Sequence, residues 1–144
     1  MVSYWKNSEA TSECMNDSGW FRTGDLGKFE GPLLYIVDRV KDMVIRGGEN
    51  IACPEVEAAI YEHDNVLEVC VFGIPDTRLG EIVSCCIYLK PGSELKEEEL
   101  RDFLSDKLAP FKIPAVYNFS ENKIPRLASE KFDKPELRKI YAKQ

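Results

Sequence analysis

Charged and glycine residues gather at a few places in this 144-residue chain. The densest is Asp38-Arg39-Val40-Lys41-Asp42, set between the apolar runs 33–37 and 43–45 and followed by Gly47-Gly48-Glu49-Asn50. Short strands on either side would place these charges at a strand-to-strand connection, where a scaffold can present them. Arg39 can grip an anion or a hydroxyl with its planar fork, or pair locally with Asp38 or Asp42. Lys41 reads equally well as a solvated cation. Gly47 and Gly48 permit positive φ and a close approach of backbone to a ligand, or they form a plain turn leading into a helix at Pro54. Upstream, Gly19-Trp20-Phe21-Arg22-Thr23-Gly24 has G-x-x-x-x-G spacing, but Asp25 and Leu26 follow where a phosphate-cradling loop needs Lys and then Ser or Thr. A carboxylate there repels phosphate, yet it can accept hydrogen bonds from both hydroxyls of a ribose.

Other reactive groups carry less. The five cysteines at 14, 53, 70, 85 and 86 have no C-x-x-C spacing and are odd in number, so they read as reduced thiols rather than zinc ligands or a disulfide framework. Cys70, Cys85 and Cys86 fall in strand-like runs, where a thiol acts as a small hydrophobe. The single His63 has no partner for a nucleophilic triad. The acidic cluster 94–99 reads as first-turn carboxylates complementing a helix dipole.

Several elements must position these residues. Residues 1–32 lack sustained periodicity and read as a connecting segment with a turn at Asn16-Asp17-Ser18-Gly19. Strands are expected at 33–38, 42–46, 66–72, 82–89 and 115–119. Helices are expected from Pro54, with Val56, Ala59, Ile60 and His63 inward; over 96–108, with Leu100, Phe103, Leu104 and Leu108 recurring at helical spacing; and after an Asp133 cap, with Leu137, Ile140 and Tyr141 on one face. This mixture predicts an α+β fold: a small mixed domain with a short antiparallel hairpin and a roughly three-stranded sheet packed by helices.

Composition narrows the classes. At 44% hydrophobic, the chain can build an ordinary core. Lys and Arg number 19 against 25 Asp and Glu, a net charge of −6, with no basic stripe, which argues against nucleic acid as a partner. The longest apolar run, 66–74, is broken by Glu68 and falls far short of the ~20 residues of a membrane span. The start shows no signal or transit pattern, and Ala142-Lys143-Gln144 is not a peroxisomal tripeptide, so a cytoplasmic or organelle-matrix setting is expected.

Taken in order, the motifs resemble the carboxyl-terminal part of adenylate-forming enzymes, the superfamily of acyl- and aryl-CoA synthetases, luciferases and peptide-synthetase adenylation domains. They are Tyr4-Trp5 with Glu9-Ala10-Thr11, the segment from Gly19 to Gly27, Val37-Asp38-Arg39-Val40-Lys41-Asp42, Gly47-Gly48-Glu49-Asn50-Ile51, Pro54-Glu55-Val56-Glu57, Gly73-Ile74-Pro75-Asp76 with Gly80-Glu81, Lys112-Ile113-Pro114, and Pro125-Arg126 before Lys131. The Gly-Gly-Glu-Asn loop is most similar to that of acid–CoA ligases.

The resemblance implies roles. Asp25 and Arg39 would hold the ribose hydroxyls of ATP or of an acyl-adenylate, and Lys41 would be the hinge of a swinging small domain. Gly47, Gly48, Glu49 and Asn50 would line the CoA channel, and Lys131 would be the catalytic cation bridging carboxylate and α-phosphate. ATP and CoA would be co-substrates, with Mg2+ accompanying ATP on the large domain. Residues 1–37 would trail from that large amino-terminal adenylation domain, and 38–144 would be the carboxyl-terminal lid. The phosphate loop and acid pocket would lie on the large domain, joined in cis or met in trans, so the chain alone would be inactive. The chain departs from the family's Pro-Arg-Thr-x-Thr/Ser-Gly-Lys by carrying Leu127 for a threonine and Glu130 for the glycine. A Glu130–Lys131 pair, or a turn of altered shape, is therefore expected. The alternatives are a stand-alone non-catalytic module that binds a partner or a separate large domain, and an adenylation domain feeding a carrier protein.

Overall fold

β5 (Val66–Asp76) and β6 (Gly80–Leu89) pair antiparallel along almost their whole length, from Val66↔Leu89 to Asp76↔Gly80. Both are near-continuous apolar runs because both faces of the ladder are covered. Val69, Val71, Val83, Cys85 and Ile87 point into one core with helices α2 (Cys53–Tyr61) and α3 (Glu97–Ser105). The alternate residues Cys70, Phe72, Ile74 and Cys86 point into a second core with Ile124 and Leu137. The computed structural model describes residues 3–142 and divides into two compact units, Met1–Lys41 and Asp42–Gln144.

In the second unit β6 is central. On the side away from β5 it meets β3 (Val44–Arg46) at Gly80, then β7 (Val116–Ser120) in parallel from Ser84 to Tyr88. The α3 crossover supplies the length a parallel connection needs. β4 (Glu49–Ile51) closes a hairpin with β3, so five strands form the sheet in the order β4-β3-β6-β5 with β7 beside β6. The free edge of β5 is covered by α2, as Glu57 Oε1 accepts from Val71 N (2.9 Å) and Tyr61 Oη from Val69 N (3.2 Å), which removes an open edge for aggregation. α4 (Lys134–Tyr141) is capped by Asp133, as expected, and is tied to α2 by Lys134–Glu57 at 3.6 Å. Leu137 is buried and Tyr141 stacks on Phe72, whereas Ile140 is exposed and lies off the apolar face. His63 lies beyond the end of α2, edge-on to Phe103 at 5.0 Å. Buried Asn118 donates to Ser84 Oγ and to the Cys85 carbonyl.

The first unit holds two elements absent from the expectations. Helix α1 (Ser8–Cys14) starts where Asn7 Oδ1 accepts from Ala10 N, and it buries no residue, so no periodicity announces it. β1 (Asp25–Glu30) pairs antiparallel with β2 (Leu33–Arg39) across a turn at Gly31, and all six of its residues are exposed. The turn read at 16–19 is present, with Asn16 Oδ1 accepting from Ser18 N and Trp20 N. The charged segment after β2 therefore joins strands of two different sheets. Among the described residues no helix is long and apolar enough to cross a membrane.

Cys53, Cys70, Cys85 and Cys86 are buried and Cys14 is partly exposed, so iodoacetamide on the folded chain should modify Cys14 first and reach the other four only on unfolding, read by peptide mass spectrometry. Burial pushes the Cys70 thiol from 9.0 up to about 12. The unfolded chain thus loses that proton first, and this contribution to stability is present below pH 9.0 and lost as pH rises toward about 12. The urea midpoint should fall across that window; a flat profile would contradict it.

Candidate functional site

Asp25 opens β1 and Arg39 closes β2, and the hairpin register sets them directly opposite each other. Arg39 Nε lies 3.4 Å from Asp25 Oδ1, with side chains 51% and 32% exposed. Arg39 thus has a cross-strand partner, and Asp38 Oδ1 accepts from the Arg39 backbone N–H at 2.7 Å. An ion pair this exposed adds no more than about 1 kcal/mol to stability, so a ligand offering hydroxyls can compete for it at small cost. Thr23 Oγ1 accepts from Asp25 N (3.0 Å), and Val40 N donates to the Gly24 carbonyl (2.9 Å), fixing the end of the hairpin. Tyr4, Thr23, Gly24, Arg39, Val40 and Lys41 line a cavity of about 440 Å³. That volume falls within the roughly 300–1,000 Å³ of small-molecule sites.

Gly47 and Gly48 form the two-residue turn of the β3–β4 hairpin, with φ of 58° and 93°. Positive φ at both positions is the requirement of a type I′ turn. Glu49 and Asn50 open β4 rather than continuing a plain loop into α2, and both are exposed. The turn is held from the β5–β6 connection. Gly47 N donates to the Leu79 carbonyl (2.7 Å), and Ile45 N donates to Glu81 Oε2 (2.9 Å). Leu79 is fixed in turn by Asp76, whose carboxyl is held below its ordinary range by the Leu79 and Arg78 backbone N–H groups. Glu81 reaches across because residue 73 is glycine: a Cβ there would meet its carboxylate at 3.0 Å.

Lys131 is exposed and follows a tight turn that returns the chain toward Phe132, which bridges to Arg126. Glu130 N donates to the Leu127 carbonyl (2.9 Å) and Leu127 N to the Lys131 carbonyl (2.8 Å). Glu130 has φ of 62°, the left-handed region, at the position where a glycine completes this kind of turn. The glutamate therefore takes the glycine's conformation, at a cost of about 1–2 kcal/mol. Among the ion pairs of the described residues none joins Glu130 to Lys131. Asp25 and Arg39 are thus brought together in the first unit, while the glycine turn and Lys131 occupy two separate turns of the second.

The sequence pattern described as AMP-binding enzyme C-terminal domain matches residues 55–131. This chain belongs to that family. It is 43% identical over 129 residues to a long-chain-fatty-acid–CoA ligase of Bacillus subtilis, a match covering 89% of this chain and 23% of the relative. Among solved structures it is similar to ATP-bound MatB from Rhodopseudomonas palustris, with TM-score 0.89, 34% identity, and coverage of 97% and 28% of the two chains. It is also similar to o-succinylbenzoate CoA synthetase of Bacillus subtilis in complex with its acyl-adenylate intermediate, with TM-score 0.86, 34% identity, and coverage of 96% and 28%. The chain thus spans about a quarter of the length of these relatives.

Within this AMP-binding C-terminal domain, sequence reasoning singled out the exposed loop residues and passed over the carboxylates that hold them. Glu68 was legible only as a charge interrupting an apolar strand, and Glu81 only as part of a motif. Replacing Glu81 by Ala leaves the exposed Ile45 N–H to water and should cost about 0.5–1.5 kcal/mol. Urea unfolding and faster amide exchange at Ile45 and Gly47 would register it; unchanged exchange there would show that Glu81 does not hold the turn.

Proposed function

We propose that this chain is the carboxyl-terminal lid of an ATP-dependent acid–CoA ligase, which forms an acyl-adenylate and then a thioester with CoA. The observation that carries the reading is the Asp25–Arg39 pair, a carboxylate and a guanidinium set opposite each other by strand register beside a cavity, in a chain of the AMP-binding family. Asp25 accepts from the ribose hydroxyls and Arg39 donates to them, which fixes the nucleotide. Lys131 places its ammonium between the substrate carboxylate and the α-phosphate. It is an acceptor-free point charge stabilising the negative charge that grows as the carboxylate oxygen attacks phosphorus and pyrophosphate leaves. Glu130 in the left-handed region supports this role, because the substitution preserves the turn a glycine would make.

Gly47, Gly48, Glu49 and Asn50 line the CoA channel in the second half-reaction, where two missing Cβ atoms leave room for the pantetheine arm. Lys41, the last residue of the first compact unit, is the hinge between the two poses. Residues 1–37 are the end of a large adenylation domain that supplies the phosphate loop and the carboxylic-acid pocket. The partial coverage of the relatives supports that partner. Mg2+ accompanies ATP on the large domain; among the described residues no group of three or more His, Cys, Asp or Glu converges as a metal site, and none is assigned to it.

The test is ATP–pyrophosphate exchange by this chain fused behind the amino-terminal part of the related long-chain-fatty-acid–CoA ligase, with a long-chain acid. The fusion should exchange pyrophosphate, and Lys131→Ala should lower its kcat by about 10²- to 10³-fold. Arg39→Ala should instead raise KM for ATP. A folded fusion with no exchange, or full activity in Lys131→Ala, would overturn the reading in favour of a non-catalytic module.

A further inference from the structure

Lys131 can act only if the turn before it holds its shape, and the turn contains a residue that resists that shape. Glu130 sits at φ of 62° without the freedom of glycine. One side chain grips that peptide: Arg126 Nη1 donates to the Glu130 carbonyl at 2.8 Å. The other arm of the same guanidinium reaches Glu68 Oε1 at 3.0 Å, and the remaining oxygen, Oε2, accepts from Ile124 N at 3.0 Å. The face of the guanidinium lies 4.3 Å over the Phe132 ring, on the far side of the turn.

Glu68 is the fixed end of this chain of contacts. Its side chain is only 14% exposed, and it stands in β5 beside an irregularity in the ladder between Val66 and Glu68. Here the alternation of β5 sets Glu68 on the same face as Cys70, Phe72 and Ile74, where its carboxylate meets Ile124 N and Arg126. A guanidinium suits the task because its rigid fork satisfies a carboxylate and a carbonyl at once, which an ammonium cannot do in the same geometry. The grip is on the backbone carbonyl of residue 130, so it is indifferent to which side chain stands there.

Resting on the ligase reading above, we propose that Glu68 and Arg126 are positioning residues for Lys131, fastening its turn to β5 so that the ammonium is delivered in one geometry. A merely structural ion pair would affect stability and both half-reactions alike. A positioning pair affects adenylation, which uses Lys131, and spares thioester formation from acyl-adenylate, which does not.

The experiment has two arms on Arg126→Met, Arg126→Lys and Glu68→Gln. In the 144-residue chain, NMR-detected exchange of the Leu127 and Glu130 amides should accelerate about tenfold or more in Arg126→Met and Glu68→Gln, with Val71 and Cys85 unchanged. In the fusion, kcat for pyrophosphate exchange should fall about 10- to 100-fold at unchanged KM for ATP, while thioester formation from supplied acyl-adenylate stays at the unmutated rate. Arg126→Lys, which keeps charge but not the fork, should fall between. Unchanged turn exchange, or equal losses in both half-reactions, would overturn the proposal. A fusion silent before mutation would count against the ligase reading alone, and the exchange arm would still decide whether Glu68 and Arg126 hold the turn.

Discussion

The burial of both faces of the β5–β6 ladder is the constraint from which the rest of the second unit follows. An antiparallel pair covered on both sides cannot slip by one residue, because the shift would exchange the Val69, Val71 and Cys85 set with the Cys70, Phe72 and Cys86 set, and each is shaped to a different core. A ladder so fixed makes a rigid post. Two turns hang from it: the glycine turn through Leu79 and Glu81, the lysine turn through Glu68 and Arg126. Polar side chains emerging from an apolar hairpin thus convert packing into position.

The two units differ in how they are stabilised. In the second, most large apolar residues of the ladder are buried, Leu67 being an exception, and the β5 edge is closed by Glu57 and Tyr61. In the first, Trp5, Trp20, Phe29, Leu33, Leu34 and Ile36 are exposed, and α1 buries nothing. A two-stranded hairpin alone is marginal in water, so a unit of this kind depends on what covers it. The reading of residues 1–37 as the end of a large domain gives those side chains a partner.

Most of the second unit was legible in the sequence because its elements are strongly patterned. α3 shows Leu100 and Leu104 at helical spacing, and β5 and β6 are β-branched runs bounded by turn residues. The fold class followed from their mixture. What escaped was local or non-local in kind. α1 rests on an Asn7 cap without an apolar face, β1 exists only because β2 lies beside it, and β4 is three residues that the Gly47–Gly48 turn folds back. In the candidate site, Asp25 and Arg39 were each visible, but their meeting depended on the register of a strand that had no pattern of its own. Glu68 and Glu81 were hidden because their partners are far along the chain, at Arg126 and Ile45.

In the proposed division of labour Lys131 serves one half-reaction and the Gly47–Asn50 turn the other. The most direct measurement is thioester formation from supplied acyl-adenylate and CoA by the fused Lys131→Ala protein, compared with the unmutated fusion. A rate close to the unmutated one, in a protein that has lost pyrophosphate exchange, is the result the account predicts. Loss of both half-reactions by the same factor would contradict it, since the lysine would then be holding the fold rather than the transition state.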